Sequence, residues 1–328
     1  MRKVGLDRAA RPVAALPVAV FRWDLDKTYL RTDFESLRQL IRVPFQSGAD
    51  KVEVPGVAEL VRGLREAARL AGRQTLVYFL SASPPQIAAS IREKLALDGV
   101  EIDGIVFKDQ LHILMRGRFR GLREQTGFKL TELLRGRLAV PDGAEEYLFG
   151  DDWEADPFIY SLYADVLAGR VGIRELTEIL CEIPVDREWR EKIERLVPQI
   201  RTVDAVRRIF INLERQSPPG SFRAFGPRLV PAFNYFQTAA CLYDDGQIDV
   251  DGVERVGRTL IARDGYTREM LENSLDDVSR RGHLGDRARL RLGRALRRLG
   301  LLPARRVPLR AWVRAMLTPS AAAPATIK

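Results

Sequence analysis

Pro17-Val18-Ala19-Val20-Phe21-Arg22-Trp23-Asp24-Leu25-Asp26-Lys27-Thr28 is the stretch on which the reading of this chain turns. Its first five residues form an apolar run long enough for one buried strand, and the strand is expected over 17–23. Two carboxylates, Asp24 and Asp26, then emerge at the strand's carboxyl end, where ligands sit in open α/β sheets. Along extended chain, residues i and i+2 point the same way, although a turn can redirect the second. Such a pair can supply one carboxylate as nucleophile and another to carry a proton.

Working outward, strand-like runs alternate with helical patterns as far as about residue 180. The further strands are expected at Thr75 to Leu80, Ile102 to Phe107 and Glu146 to Phe149. Helices are expected from Val57, after Pro55-Gly56, then after Pro84-Pro85, over Phe128 to Arg137, and from Asp156-Pro157 to about Leu167. This alternation predicts an α/β fold, a largely parallel sheet with crossover helices. Beyond Gly169 the pattern turns helical: Ile173 to Glu182, Trp189 to Leu196, Val203 to Arg215, Val230 to Tyr243, Val253 to Ala262 and Arg268 to Arg280. The expected organisation is therefore 1–185 as the α/β domain and 186–328 as a helical C-terminal region.

The 328 residues carry a net charge of +9, unevenly placed. Residues 280–328 hold thirteen Arg or Lys against Asp286 alone, a net +12 that leaves the preceding residues at −3. From Leu284, the residues Ala288, Leu292, Ala295 and Leu299 form a helical apolar stripe, with Arg287, Arg291, Arg294, Arg297 and Arg298 on the opposite side. A cationic helix of this kind can lie on an anionic bilayer, bind nucleic-acid phosphates, or pack its leucines onto the protein body.

No run of about 18 apolar residues predicts a membrane-spanning helix. The first apolar stretch leads directly into the Asp24 segment, so it reads as a strand and not as a cleaved signal. Cys181 and Cys241 are too few for a disulfide framework, which points to a reducing cytoplasm, with a peripheral position at the inner membrane surface as the other expectation. His112 and His283 are the only histidines, which argues against triad hydrolases and zinc sites.

Three later features stand in order after Asp24. Ser81-Ala82-Ser83 follows the second strand; Ser81 can donate to a phosphoryl oxygen, and Ser83 can cap the next helix. Lys129 sits early in its helix, where positive charge and a helix N-terminus suit anionic oxygens. Phe149-Gly150-Asp151-Asp152-Trp153-Glu154-Ala155-Asp156-Pro157 gathers Asp151, Asp152 and Asp156 at a strand end. Clustered hard oxygen ligands favour Mg²⁺.

Taken together, Asp24/Asp26/Thr28, Ser81, Lys129 and Asp151/Asp156 resemble the four ordered motifs of the haloacid dehalogenase superfamily of phosphatases, over about residues 17–170. The resemblance implies a Rossmann-like three-layer parallel sheet and an Mg²⁺-dependent phosphomonoesterase. It implies Asp24 as the nucleophile that becomes an aspartyl-phosphate. Asp26 becomes the general acid/base whose backbone carbonyl also meets the metal. Thr28, Ser81, Ala82 and Lys129 hold the substrate side. Asp151 binds Mg²⁺ directly and Asp156 through water, with Asp152 as its competitor.

Within that family, Val54-Pro55-Gly56-Val57-Ala58-Glu59-Leu60, Tyr78-Phe79-Leu80-Ser81-Ala82-Ser83-Pro84 and Gly150-Asp151 through Asp156-Pro157-Phe158-Ile159-Tyr160 resemble the catalytic domain of actin-patch-type phosphatidate phosphatases and their bacterial relatives. Lys27, Ala82 and Pro85 depart from that pattern, standing where those proteins have an acidic residue, an asparagine and an aromatic. Asp24 to Ser81 spans 57 positions and Ser81 to Lys129 spans 48, both largely occupied by expected elements. A minimal cap and an open site follow, suited to a lipid phosphate, with a polynucleotide end as the alternative. A binding module that keeps the fold without turnover is the non-enzymatic alternative. Arg116-Gly117-Arg118-Phe119-Arg120-Gly121 can form a basic rim or a solvated hairpin.

Overall fold

The computed structural model describes residues 17–25, 28–30, 53–81, 85–107 and 121–304. Six strands form one all-parallel sheet: β1 (Val18–Asp24), β2 (Gln74–Ser81), β3 (Gly104–Phe107), β4 (Glu145–Asp151), β5 (Val206–Asn212) and β6 (Leu229–Ala232), in the order β3-β2-β1-β4-β5-β6. The chain builds outward from β1 to β3, then crosses back to place β4 against the other side of β1. The strand order therefore reverses between β1 and β4, and the carboxyl ends flanking such a switch leave a crevice that no crossover fills.

Helices cover both faces. On one side lie α1 (Val57–Leu70), α2 (Ala88–Leu97), α7 (Tyr235–Asp244), α8 (Val250–Arg263), α9 (Arg268–Arg280) and α10 (Asp286–Arg298), joined in a single apolar core with Phe21, Trp23, Phe79, Tyr147 and Phe149. On the other lie α3 (Gly121–Leu138), α4 (Asp156–Leu167), α5 (Ile173–Glu182) and α6 (Arg187–Leu196), packed on Leu80, Leu148, Ile209 and Ile211. The result is the expected α/β architecture in three layers.

The helical reading of Val203 to Arg215 is corrected: Val206–Asn212 is strand β5. Ile209, Phe210 and Ile211 are all buried, because a parallel strand covered on both faces shows a continuous apolar run with no alternation to betray it. Val230 to Tyr243 likewise begins as strand β6 and becomes helix only at Tyr235. The sheet thus continues past residue 186, and its larger core draws residues from Ala19 to Leu302.

Beneath the crevice, aromatic rings run across the strands. Trp23 and Phe149 stack at 3.8 Å between centroids, Phe149 and Phe210 at 5.1 Å, and Phe79 meets Tyr29 edge-on at 5.2 Å. Each such pair adds about 0.5–1.5 kcal/mol beyond its area burial, and together they stiffen the strand ends that carry the acidic residues. On the opposite face a buried ionic knot fixes β1 to β4. Glu146 accepts from Arg22 Nε (2.9 Å), Arg137 Nη1 (3.1 Å) and Tyr163 Oη (2.9 Å). All four residues are buried.

Removing one member of such a knot leaves charges without counterions in low dielectric. Glu146→Gln should therefore lower stability by about 3–5 kcal/mol, read as a shift in the urea midpoint at neutral pH. A change below measurement error would mean that the two arginines do not depend on this carboxylate.

Candidate active site

Asp24 is the last residue of β1 and Asp151 the last of β4, the two strands that flank the switch in strand order. Asp156 opens α4 five residues further on, and Lys129 reaches in from α3. Gly150 makes the close approach possible, since a Cβ there would run into the Asp156 carboxylate. Carboxylate oxygens of Asp24, Asp151 and Asp156 lie within 4.8 Å of one another, and all three residues are buried.

Lys129 is fully buried among acids. Its Nζ lies 2.8 Å from Asp24 Oδ1, 2.9 Å from Glu154 Oε2 and 2.5 Å from Asp156 Oδ1. Burial opposes its charge, but Asp156, Asp24 and Glu154 outweigh that and hold its pKa well above the ordinary lysine value. The lysine is a permanent cation. Four carboxylates face this one ammonium, a net −3 when all are ionised.

The surplus shows in the acids. Burial, reinforced by the neighbouring carboxylates, raises Asp24 well above the usual range, although Lys129 pulls it down. Burial, with Asp156 and Glu154 beside it, raises Asp151 to about 8. Burial raises Asp156 to about 6, restrained by Lys129. The hydrogen bonding divides the three acids. Asp156 spends Oδ1 on Lys129 and accepts the Asp151 backbone N–H at Oδ2 (3.3 Å). Asp151 Oδ1 accepts from the N–H groups of Trp153 (2.7 Å) and Glu154 (2.9 Å), while its buried Oδ2 has no hydrogen-bond partner among the described residues. Neither Asp24 oxygen accepts a hydrogen bond from the described residues, although one faces Lys129 as an ion pair. Buried carboxylate oxygens without donors are costly, and this set of hard, partly unpartnered oxygens fits a divalent cation held directly by Asp24 and Asp151.

Asp152 departs from the expected ligand set. Its oxygens accept from the backbone N–H groups of Arg215 (2.9 Å) and Ser217 (3.1 Å), so it braces the segment after β5 and is not among the three clustered acids. That brace sets the Arg215 guanidinium 4.9 Å above the half-exposed Trp153 ring. Thr28 is buried beside the crevice, and its carbonyl accepts from Tyr235 Oη at 2.6 Å. Ser81 is buried at the carboxyl end of β2. Asp26, Ala82, Ser83 and Arg116 to Arg120 lie outside the described residues, as do 31–52 and 108–120, parts of the spans in which a cap would be inserted.

Three participants escaped the sequence reading. Glu154 contacts Lys129; Tyr235, from the region expected to be separate, holds the loop after Asp24. Asn212 ends β5 in register with Asp151, its Nδ2 buried without a partner among the described residues. For Asn212 the signal was obscured by the helical reading of its segment. No helix among the described residues is long and apolar enough to cross a membrane. No family model, curated protein or solved structure matches this chain.

The acids predict an unusual pH response. A carboxyl whose folded pKa stands above its unfolded value binds its proton more tightly when folded, so its contribution to stability is lost as pH rises through the folded value. With Asp156 near 6 and Asp151 near 8, and both near 4 when unfolded, the chelator-treated protein should lose melting temperature between about pH 4 and 8. Asp151→Asn should flatten that loss and raise the melting temperature at pH 9. Asp156→Asn should flatten the loss less, because Lys129 already restrains the upward shift of Asp156. Scanning calorimetry in chelator reads both; equal and parallel pH curves for wild type and Asp151→Asn would contradict the assignment.

Proposed function

We propose that this chain is an Mg²⁺-dependent phosphomonoester hydrolase that works through an aspartyl-phosphate. The observation that carries the reading is the meeting of Asp24, Lys129 and the Asp151/Asp156 pair, from three separate segments, at the carboxyl ends of the switch-point strands. The order of these residues along the chain also resembles that of haloacid dehalogenase-type phosphatases, and the sheet order is compatible with it.

In this reading an Asp24 oxygen attacks phosphorus as the bond to the leaving oxygen breaks. Asp26 gives that oxygen its proton. A water then attacks the phosphorus of the Asp24 ester, passes a proton to Asp26, and releases phosphate with the Asp24 carboxylate restored. Attack requires Asp24 ionised, and Lys129 at 2.8 Å favours that form. The same ammonium faces the phosphoryl oxygens, whose charge it offsets in a water-poor site. Mg²⁺, when bound by Asp24 and Asp151, supplies the further positive charge that a dianionic phosphate needs against a net negative pocket. Asp156 keeps Lys129 aimed, and Tyr235 holds the Thr28 carbonyl beside the crevice.

The substrate class we assign is phosphatidate or a related lipid phosphate. Its support is the sequence resemblance in Val54–Leu60, Tyr78–Pro84 and Asp156–Tyr160, together with a residue spacing that leaves little room for a large cap.

Phosphate release from an aryl phosphate should require Mg²⁺ and vanish in chelator. Asp24→Asn and Asp26→Ala should each reduce it by at least about a thousandfold, with circular dichroism unchanged. Retained turnover in both purified variants would exclude the mechanism. A panel of phosphatidate, lysophosphatidate, sugar phosphates and phosphorylated oligonucleotides ranks the substrate classes; preference for the oligonucleotides would displace the lipid assignment.

A further inference from the structure

The arginines of α10 divide into two sets. Arg289 pairs with Asp276 and Arg297 with Glu272, both acids on α9, so these two fasten one helix to the next. Arg287, Arg291, Arg294 and Arg298 are exposed, and none meets a carboxylate among the described residues. Their spacing is i, i+4, i+7 and i+11, which places them within one narrow arc of the helix, along roughly 16 Å of its length.

The apolar side of the same helix is fully used. Ala288, Leu292 and Leu296 are buried against α7, α8 and α9, as is Leu284 just before the helix. The stripe ends on Leu296, not Ala295, and Leu299 is left exposed. Of the three readings the sequence left open for this helix, packing of its leucines onto the protein body is the one its apolar face follows. What remains outward is charge, with Leu290 (49% exposed) at the margin of the arginine arc.

We propose that the exposed arginine face of α10 is a docking surface for an anionic membrane, contacted ionically and without insertion of the helix. Charge complementarity carries the proposal: four unneutralised guanidiniums in a line, on a chain whose first 279 residues are net −3. A straight helix face presents a line to a plane. It holds no aromatic residue on which a base could stack, and Leu290 has a use at the headgroup–acyl boundary and none against a phosphate backbone. An ionic contact must be salt-sensitive and must need acidic lipid. This partner does not depend on the catalytic reading, although it would bring a lipid-phosphate hydrolase to its substrate.

The test is co-sedimentation of the full chain with vesicles of phosphatidylcholine alone or with phosphatidylserine added. Binding is read without turnover, so its failure is separate from failure of the phosphatase assignment. The wild type should bind only the acidic vesicles and release them in high salt. Changing Arg287, Arg291, Arg294 and Arg298 together to Gln should weaken binding by roughly fivefold per arginine. A second variant carrying Gln at the exposed Arg69, Arg92, Arg174 and Arg223 loses the same charge from elsewhere and should bind like wild type. Equal losses in the two variants, undiminished binding in the first, or binding to neutral vesicles would overturn the proposal. So would tighter binding to duplex DNA than to acidic vesicles at the same salt concentration.

Discussion

One buried ammonium organises this molecule's crevice. Lys129 has left water completely, a transfer that is prohibitive for an isolated charge. It is tolerated because Asp24, Glu154 and Asp156 surround it within 2.9 Å. Those partners come from the end of β1 and from the β4–α4 turn, so a single cation joins pieces of chain more than a hundred residues apart. The compensation overshoots, however. One positive charge cannot balance four acids, and the raised Asp24, Asp151 and Asp156 register the excess. That excess of buried negative charge favours a further positive charge beside these acids.

The scaffold keeps that tension from relaxing. Acidic side chains could drift apart if the strand ends could move, but the stacked rings of Trp23, Phe149 and Phe210 lie directly below them. The loop after Asp24 is held from outside by Tyr235, and the loop after Asp151 is tied through Asp152 to the turn after β5. Both ties come from chain beyond residue 186. The C-terminal part is therefore built into the crevice wall, which explains why one apolar core runs from Ala19 to Leu302.

What could be read in advance follows from what each residue answers to. Asp156–Leu167, Ile173–Glu182 and Arg268–Arg280 were visible because local signals, Asp-Pro at one start and helical periodicity in each, agree with their surroundings. Strand β5 was hidden because burial on both faces erased its alternation, and Arg208 inside it resembled a solvated helical residue. In the fold Arg208 meets Asp245 through two bonds of 2.7 Å. Of the expected site residues, Asp24, Lys129, Asp151 and Asp156 converge. Asp152 could not be told from Asp156 by spacing alone, since the distinction rests on which backbone N–H groups lie opposite. Tyr235 and Glu154 act through distant contacts that no local pattern encodes.

The two charge concentrations in the chain do different work, and distance separates them. Negative charge is sunk into the crevice at the carboxyl edge of the sheet, whereas α10 begins at the other end of α7, where the Gly285 N–H donates to Asp244. The ten residues of α7 set roughly 15 Å between that point and Tyr235, well past the ~8 Å over which exposed charges act at physiological ionic strength. The start of the arginine line therefore cannot offset the crevice's negative charge, which Lys129 meets directly. On the proposed reading, any effect of that line on turnover comes through residence at a surface, which raises the local concentration of whatever that surface carries and leaves the chemistry of each encounter unchanged.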